Sequence, residues 1–207
     1  MDSRRAEAFS DGVFAIAITL LVLNLRLPAA TRGCSTVRCE LLAAWPSYFA
    51  YVVSFLTIGI MWMNHHTILG HVTRVNRPLL VLNLLLLMGV VAIPFPTEVV
   101  AAHLVHSGGA AAAFAYGLVM IAISAGFAGV WVYVVTRGDR LGAPLPPDAL
   151  RRSIPGFTLG GAVYAAGAVI ALTGFPVIAL IIYGLLAVYY LFEHLPSPEP
   201  RPGAGSR

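Results

Sequence analysis

Six apolar stretches, each close to the roughly 20 residues that a helix needs to cross a bilayer, constrain this chain more than any other feature. They lie approximately at residues 9–27, 45–64, 79–96, 110–135, 154–173 and 175–193. With 58% hydrophobic and 11% charged residues and a mean hydropathy of +0.83, the composition excludes an ordinary soluble domain. The sequence therefore predicts an all-α, polytopic membrane protein with six transmembrane helices.

The apolar stretches also define the domain organisation. The fifth and sixth are separated only by the turn 173–176, which predicts a tight helical hairpin. No composition shift marks a second domain, so residues 1–194 are expected to form a single six-helix transmembrane domain. Residues 195–207 are rich in proline and glycine and predict a disordered cytoplasmic tail.

The arginines predict the orientation in the membrane. The chain has thirteen arginines, no lysine and nine acidic residues. In a chain this apolar, the basic excess reports topology and not nucleic-acid binding. One predicted side carries Arg4, Arg5, Arg74, Arg77, Arg137, Arg140, Arg151, Arg152, Arg201 and Arg207, and the other carries Arg26, Arg32 and Arg38. This asymmetry predicts a multi-pass protein of the cell membrane with both termini cytoplasmic.

A secretory signal is the alternative for the first segment, but Asp2, Glu7 and Asp11 do not suit its basic start.

A belt of polar residues is predicted at the cytoplasmic end of the bundle. Ser10 and Asp11 begin the first segment, the motif WMNHH ends the second with Trp62, His65 and His66, and Asn83 lies about one turn into the third. One interpretation is a helix cap with histidines among the lipid headgroups. Another is a charge-assisted network that fixes the first helix in the bundle. A third is a histidine metal site or an Asp-His hydrolytic site. The hydrolytic site would need a nucleophile spaced so that it could meet the Asp-His pair, and the sequence shows none.

The remaining candidate groups lie on the opposite side. Cys34 and Cys39 are candidates for a disulfide in the first outer loop. Two cysteines without a nearby histidine are too few for a zinc site, and no metal or cofactor is predicted. His103 and His106 are expected in an interfacial loop, and Glu98 at the outer mouth of the third segment.

One stripe of the first segment could face something other than lipid. Gly12, Ile16, Thr19, Leu20 and Leu23 recur at helical spacing. The pattern Arg5, three residues, Phe9-Ser10-Asp11 and then GVFAIAITLLVL resembles the signature first helix of the transmembrane protein 175 family, the endolysosomal potassium channels and their prokaryotic relatives. The resemblance continues through WMNHH and LNLLLLMGVVAIPFPT, and so covers roughly the first half of the chain well.

The resemblance implies a potassium-permeable channel without the TVGYG filter of ordinary potassium channels. By position after the motif, Ile16, Leu20 and Leu23 would form the pore constriction, with Thr19 as a supporting hydroxyl behind it. Arg5, Phe9, Ser10 and Asp11 would form the anchoring polar motif, together with Trp62, His65, His66 and Asn83. Because the animal proteins carry two six-helix repeats and this chain one, four copies would build the pore, with each first helix lining it. Asn24 departs from the family, since many relatives carry an acidic residue there.

The predicted function is passive conduction of potassium through a hydrophobic constriction, with a modest preference over sodium because an apolar ring supplies no oxygens to replace hydration water. The predicted partners are K⁺ or other monovalent cations, the lipid bilayer and three further copies of the chain. Two alternatives are a secondary transporter of a small solute, although the segment centres lack acidic residues, and an intramembrane enzyme that uses the cytoplasmic belt.

Overall fold

The computed structural model describes residues 3–25, 36–143 and 148–192, and helices make up most of them. The helices are α1 (Ser3–Leu20), α2 (Val37–Ala43), α3 (Trp45–Gly70), α4 (Arg77–Ala92), α5 (Pro94–His103), α6 (Gly109–Thr136), α7 (Gly138–Leu141), α8 (Ala149–Leu172) and α9 (Pro176–Phe192). A short 3-10 segment, Leu21–Asn24, extends α1. The predicted all-α class is confirmed, while the predicted tail 195–207 lies outside the described residues.

Among the described residues, four helical stretches are long and apolar enough to cross a membrane. They are Ser3–Asn24, Trp45–Gly70, Arg77–His103 and Gly109–Thr136. Two further apolar helical stretches, Thr158–Leu172 and Pro176–Phe192, are shorter. The count of six spans therefore stays a prediction.

The third apolar segment is longer than the sequence predicts and contains a break. Its predicted end at residue 96 is wrong, because the helix resumes at Pro94 and continues as α5 to His103. Pro94 has no N–H to donate to the carbonyl one turn earlier, and Ile93 instead donates to Val90 O at 3.1 Å. A proline is tolerated in the first turn of a helix, so Pro94 ends α4 and also begins α5. Glu98 and His103 consequently lie on a helix and not in a loop.

The turn between α8 and α9 lies where the sequence places it. α8 ends at Leu172 and α9 begins at Pro176. Gly174 has a φ of 97°, a left-handed conformation that side chains other than glycine rarely adopt. The two helices pack against each other, as expected for a tight hairpin.

The helix α6 forms the centre of the subunit and α1 lies at its edge. α6 packs against α3, α4, α5, α8 and α9, whereas α1 packs mainly against α3 and α4. Only one face of α1 is buried, and it carries Ala6, Ser10, Phe14, Ala17 and Leu21. These residues are spaced three or four apart, so they line one side of the helix. The other side of α1 has no cover within the described part of the subunit.

Candidate functional site

A buried polar cluster joins α1 to α3 and α4. We call Ser10, Asp11, Trp62, His65 and Asn83 the α1 polar cluster. Asn83 Nδ2 donates to Ser10 Oγ at 3.0 Å, and Asn83 Oδ1 lies 2.7 Å from His65 Nε2. Ser10, His65 and Asn83 are 0%, 1% and 3% exposed. The cluster thus brings one side chain from each of three helices into a site without access to bulk water.

The direction of each hydrogen bond in the buried part follows from the donors available. Ser10 Oγ donates to Ala6 O at 2.9 Å and so accepts from the amide of Asn83. The carbonyl oxygen of Asn83 can only accept, so His65 carries its proton on Nε2. His65 Nδ1 has no hydrogen-bond partner within the described residues. The ring of His65 packs against that of Phe14, with 5.3 Å between the two ring centroids.

Two further contacts join α1 and α3 at the rim of the cluster. Trp62 Nε1 donates to Asp11 Oδ1 at 2.9 Å. His66 Nδ1 lies 2.7 Å from Glu7 Oε1, although the His66 side chain is 61% exposed. Exposed polar contacts of this kind contribute at most about 1 kcal/mol each. These rim contacts therefore contribute little to the attachment of α1. Arg5 and Phe9 lie outside the cluster at exposed positions.

The geometry of the cluster favours attachment over chemistry. The Ser10 hydroxyl proton is used on Ala6 O, so it is not aimed at His65 as a nucleophile would be. The described residues contain no group of three or more His, Cys, Asp or Glu side chains that could hold a metal ion. What these contacts do is attach α1 to α3 and α4.

The predicted constriction residues lie on the exposed face of α1, which we define as Phe9, Gly12, Ile16, Thr19, Leu20 and Leu23. Ile16 is 58% exposed and Leu23 is 60% exposed in the single subunit, and Leu20 is also exposed. Thr19 is exposed, and its hydroxyl donates to Ala15 O at 2.9 Å within its own helix. This face lies opposite the α1 polar cluster, so the bonds that fix α1 also determine which way the face points.

Two sets of hydrogen bonds in the structure were not predicted from the sequence. Asn24 Nδ2 donates to Pro94 O at 2.8 Å and ties the outer end of α1 to the break between α4 and α5. A polar residue at the end of an apolar helix indicates that a hydrogen bond is needed there. Its partner is a backbone carbonyl, which no sequence pattern identifies.

The second set is a buried chain of hydroxyls between α3, α5 and α6. Thr97 Oγ1 donates to Ile93 O at 2.8 Å, so it accepts from Ser54 Oγ, which lies 2.8 Å away. Ser54 in turn accepts from Tyr116, whose hydroxyl is 3.0 Å away. Hydroxyl residues inside apolar segments were the available signal. These three hydroxyls hold the first turn of α5 in place, just after the break between α4 and α5.

Other predicted residues fall partly outside the described part of the chain. Cys39 lies in the first turn of α2, but Cys34 is outside the described residues, so their disulfide stays a prediction. Arg26 and Arg32 are also outside them, and Arg38 is exposed. His103 lies in the last turn of α5, and His106 is exposed in the turn that follows.

Comparisons with known proteins point to one family. Residues 5–94 match the family model described as endosomal/lysosomal potassium channel TMEM175. A potassium channel of Streptomyces collinus is 44% identical over 206 residues, which cover 99% of both chains. The human endosomal/lysosomal proton channel TMEM175 is 37% identical over 101 residues, 45% of this chain and 20% of the human protein.

A solved structure also matches the fold. The crystal structure of a lysosomal potassium-selective channel TMEM175 homologue from Chamaesiphon minutus superposes with a TM-score of 0.77 at 34% sequence identity. The match covers 91% of this chain and 96% of the other. The similarity therefore extends well beyond the first half of the chain, where the sequence motifs are concentrated.

Proposed function

Since the chain belongs to the TMEM175 family of potassium channels, we propose that it conducts potassium passively through a pore lined by α1 of four identical subunits. Ile16, Leu20 and Leu23 form a hydrophobic constriction in this pore. The relatives are named as channels and not as enzymes, and the chain is grouped with them accordingly. K⁺ as the permeant ion is taken from the names of these relatives.

The observation that carries the proposal is the exposed face of α1. In a single subunit, two large aliphatic side chains of this face, Ile16 and Leu23, are more than half exposed, while the opposite face is buried by α3 and α4. Such a face must contact either lipid or further protein. An added Cβ at Gly12 would meet nothing within 4 Å, so this position is open to a neighbouring helix. Small residues allow membrane helices to approach closely, which favours contact between copies of α1.

The length of the face suits a narrow pore. From Gly12 to Leu23 an α-helix rises about 16 Å, roughly half of the hydrocarbon core of a bilayer. Ile16, Leu20 and Leu23 are three or four residues apart, so each would contribute one ring of four apolar side chains. Three successive rings form a barrier to hydrated ions that opens by widening and wetting.

The same chemistry limits the selectivity. No charged residue lies between Asp11 and Arg26, and aliphatic rings offer no oxygens to an ion. Potassium loses its hydration water more easily than sodium, so it passes such a barrier more readily, and the preference is modest. The Thr19 hydroxyl already donates within its helix and can offer only its lone pairs.

The α1 polar cluster serves this pore by fixing the rotation of α1. A rotation of about 100°, which is one residue of an α-helix, would replace the predicted constriction residues by their neighbours. The bonds of Asn83 to Ser10 and His65 hold α1 at its first turns and oppose this rotation. The arginine asymmetry supports an orientation in which these turns and both termini lie on the cytoplasmic side of the cell membrane. Six crossings of the membrane complete the proposed topology.

Substitution of the constriction tests the proposal. Leu23→Asn or Ile16→Asn introduces a polar ring, so single-channel conductance in planar bilayers is expected to rise while the K⁺/Na⁺ permeability ratio falls. The matched control is Leu185→Asn, the same change at an exposed position of α9, which packs against α3, α6 and α8. We expect wild-type currents from this control.

Unchanged conductance and ion preference in both constriction variants would show that Ile16 and Leu23 do not line the pore. A structure of the assembled protein gives the geometric counterpart of this test. Each of the three residues should face its symmetry mates across a fourfold axis, and contact with lipid alone would contradict the assignment.

A further inference from the structure

A side-chain hydrogen bond ties the outer end of α1 to α5. Asn24, the last residue of the 3-10 segment, donates from Nδ2 to Pro94 O at 2.8 Å. The acceptor is the first residue of α5, at the break that Pro94 imposes on the third apolar segment. α1 is therefore attached at two levels, by the α1 polar cluster near its start and by Asn24 at its outer end, about 20 Å apart.

The segment that Asn24 holds is wound more tightly than the rest of α1. Leu21–Asn24 is a 3-10 helix, with three residues per turn and a rise of about 2.0 Å per residue. Leu21 at its start is fully buried, while Leu23 is 60% exposed. The winding of these four residues thus determines where Leu23 points relative to the buried face.

The difference between the two helix types is large enough to matter at a constriction. From Leu20 to Leu23 a 3-10 helix turns about 360°, whereas an α-helix turns about 300° and rises about 1.5 Å less. Relaxation of this segment to α-helical winding would move Leu23 about 60° around the axis of α1. The 3-10 winding aligns Leu23 with Leu20, three residues earlier, so this rotation would turn the two side chains out of line along the proposed pore.

We propose that Asn24 is a positioning residue for the outer constriction: its hydrogen bond to the Pro94 carbonyl keeps the 3-10 winding and so holds Leu23 toward the pore axis. This proposal rests on the proposed function, and it assigns Asn24 a role as hydrogen-bond donor. The role requires an amide, because a carboxylate at this position has no proton to donate and repels the carbonyl oxygen.

Three substitutions separate the donor role from the effect of charge in the outer vestibule. Asn24→Leu keeps the size and removes the donor without adding charge. Asn24→Asp removes the donor and adds a negative charge. Asn24→Gln keeps the donor on a side chain one methylene longer. The measurements are single-channel conductance and K⁺/Na⁺ permeability ratio of each protein in planar bilayers, compared with wild type.

A positioning role predicts that the Leu and Asp variants both change the permeability ratio by about threefold, the effect of one interhelical hydrogen bond on an equilibrium within a membrane. The Gln variant should lie closer to wild type. If the Leu variant does not assemble, Asn24→Ala takes its place with the same expectation. A purely structural role would lower thermal stability and leave the permeability ratio unchanged.

Wild-type permeability in the Leu variant would overturn the positioning role. A change confined to the Asp variant would overturn it too and would leave vestibule charge as the explanation. A wild-type protein that passes no potassium would instead overturn the proposed function, and the assignment of Asn24 with it. Potassium currents in the wild type therefore distinguish the two failures.

Discussion

Replacing Asn83 by leucine removes the centre of the α1 polar cluster while keeping a side chain of similar size. The change deletes the 3.0 Å bond to Ser10 and the 2.7 Å bond to His65. It also leaves His65 Nε2–H without an acceptor at a position that is 1% exposed. Replacement by aspartate is a different experiment, because it keeps the acceptor for His65, removes the donor to Ser10 and adds a carboxylate at a buried position.

The size of the effect follows from the burial of the three partners. Interhelical hydrogen bonds in membrane proteins contribute about 0.6 kcal/mol each on average, so two bonds account for roughly 1.2 kcal/mol. A buried donor left without a partner costs a further 1–3 kcal/mol or so. We expect Asn83→Leu to lower the free energy of unfolding by about 3 kcal/mol, which corresponds to a fall in Tm of about 6–12 °C for a chain of this size.

Thermal unfolding of the purified protein in detergent measures this fall. The matched control is Leu84→Ala at the next position, which is exposed in the subunit and should give a smaller shift. Ser10→Ala should add little when combined with Asn83→Leu, because the two changes remove the same bond. A Tm within about 1 °C of wild type, or fully additive effects in the double variant, would show that the cluster does not hold α1.

Two more predictions concern the ends of α1. Asp11→Ala should lower the thermal stability or the yield of assembled protein, because Trp62 Nε1 loses its acceptor. Asp11→Asn keeps an acceptor oxygen and should lie closer to wild type. An assembled and fully stable Ala variant would show that Asp11 is only a solvated helix cap. Neutralising Arg26 and Arg32 together should raise inward potassium current at low ionic strength, since the arginines repel cations from the outer mouth. The gain should shrink with added salt as the Debye length falls from about 30 Å at 0.01 M to about 10 Å at 0.1 M, and a gain independent of salt would contradict this electrostatic account.

The sequence predicts the helices of this protein better than it predicts their contacts. The α8–α9 hairpin follows from Gly174 and Pro176, and the bounds of α6 are within one residue of the predicted segment 110–135. The end of the third segment was predicted wrongly because Pro94 and Pro96 are ordinarily read as the end of a helix. Here Pro94 starts a new helix directly after α4, and only the folded backbone distinguishes these outcomes.

The partners of the polar side chains depend on how the helices are rotated against one another. The levels of Ser10, His65 and Asn83 in the membrane could be read from the chain, since each is close to one end of an apolar segment. Their pairing could not, because a shift of one residue turns a side chain by about 100°. The hydrogen bond from Asn24 to Pro94 is harder still to predict, since every residue has a backbone carbonyl that could accept it.

Reversal potentials of the purified protein in planar bilayers test the central claim most directly. Under a potassium chloride gradient, passive cation conduction predicts a reversal potential close to the equilibrium potential of potassium. Replacing potassium by sodium on one side should shift it modestly, and a separate proton gradient tests permeation of the ion after which the human relative is named. A reversal potential at the chloride equilibrium, or flux that appears only with a coupled solute, would contradict a potassium-conducting pore lined by α1.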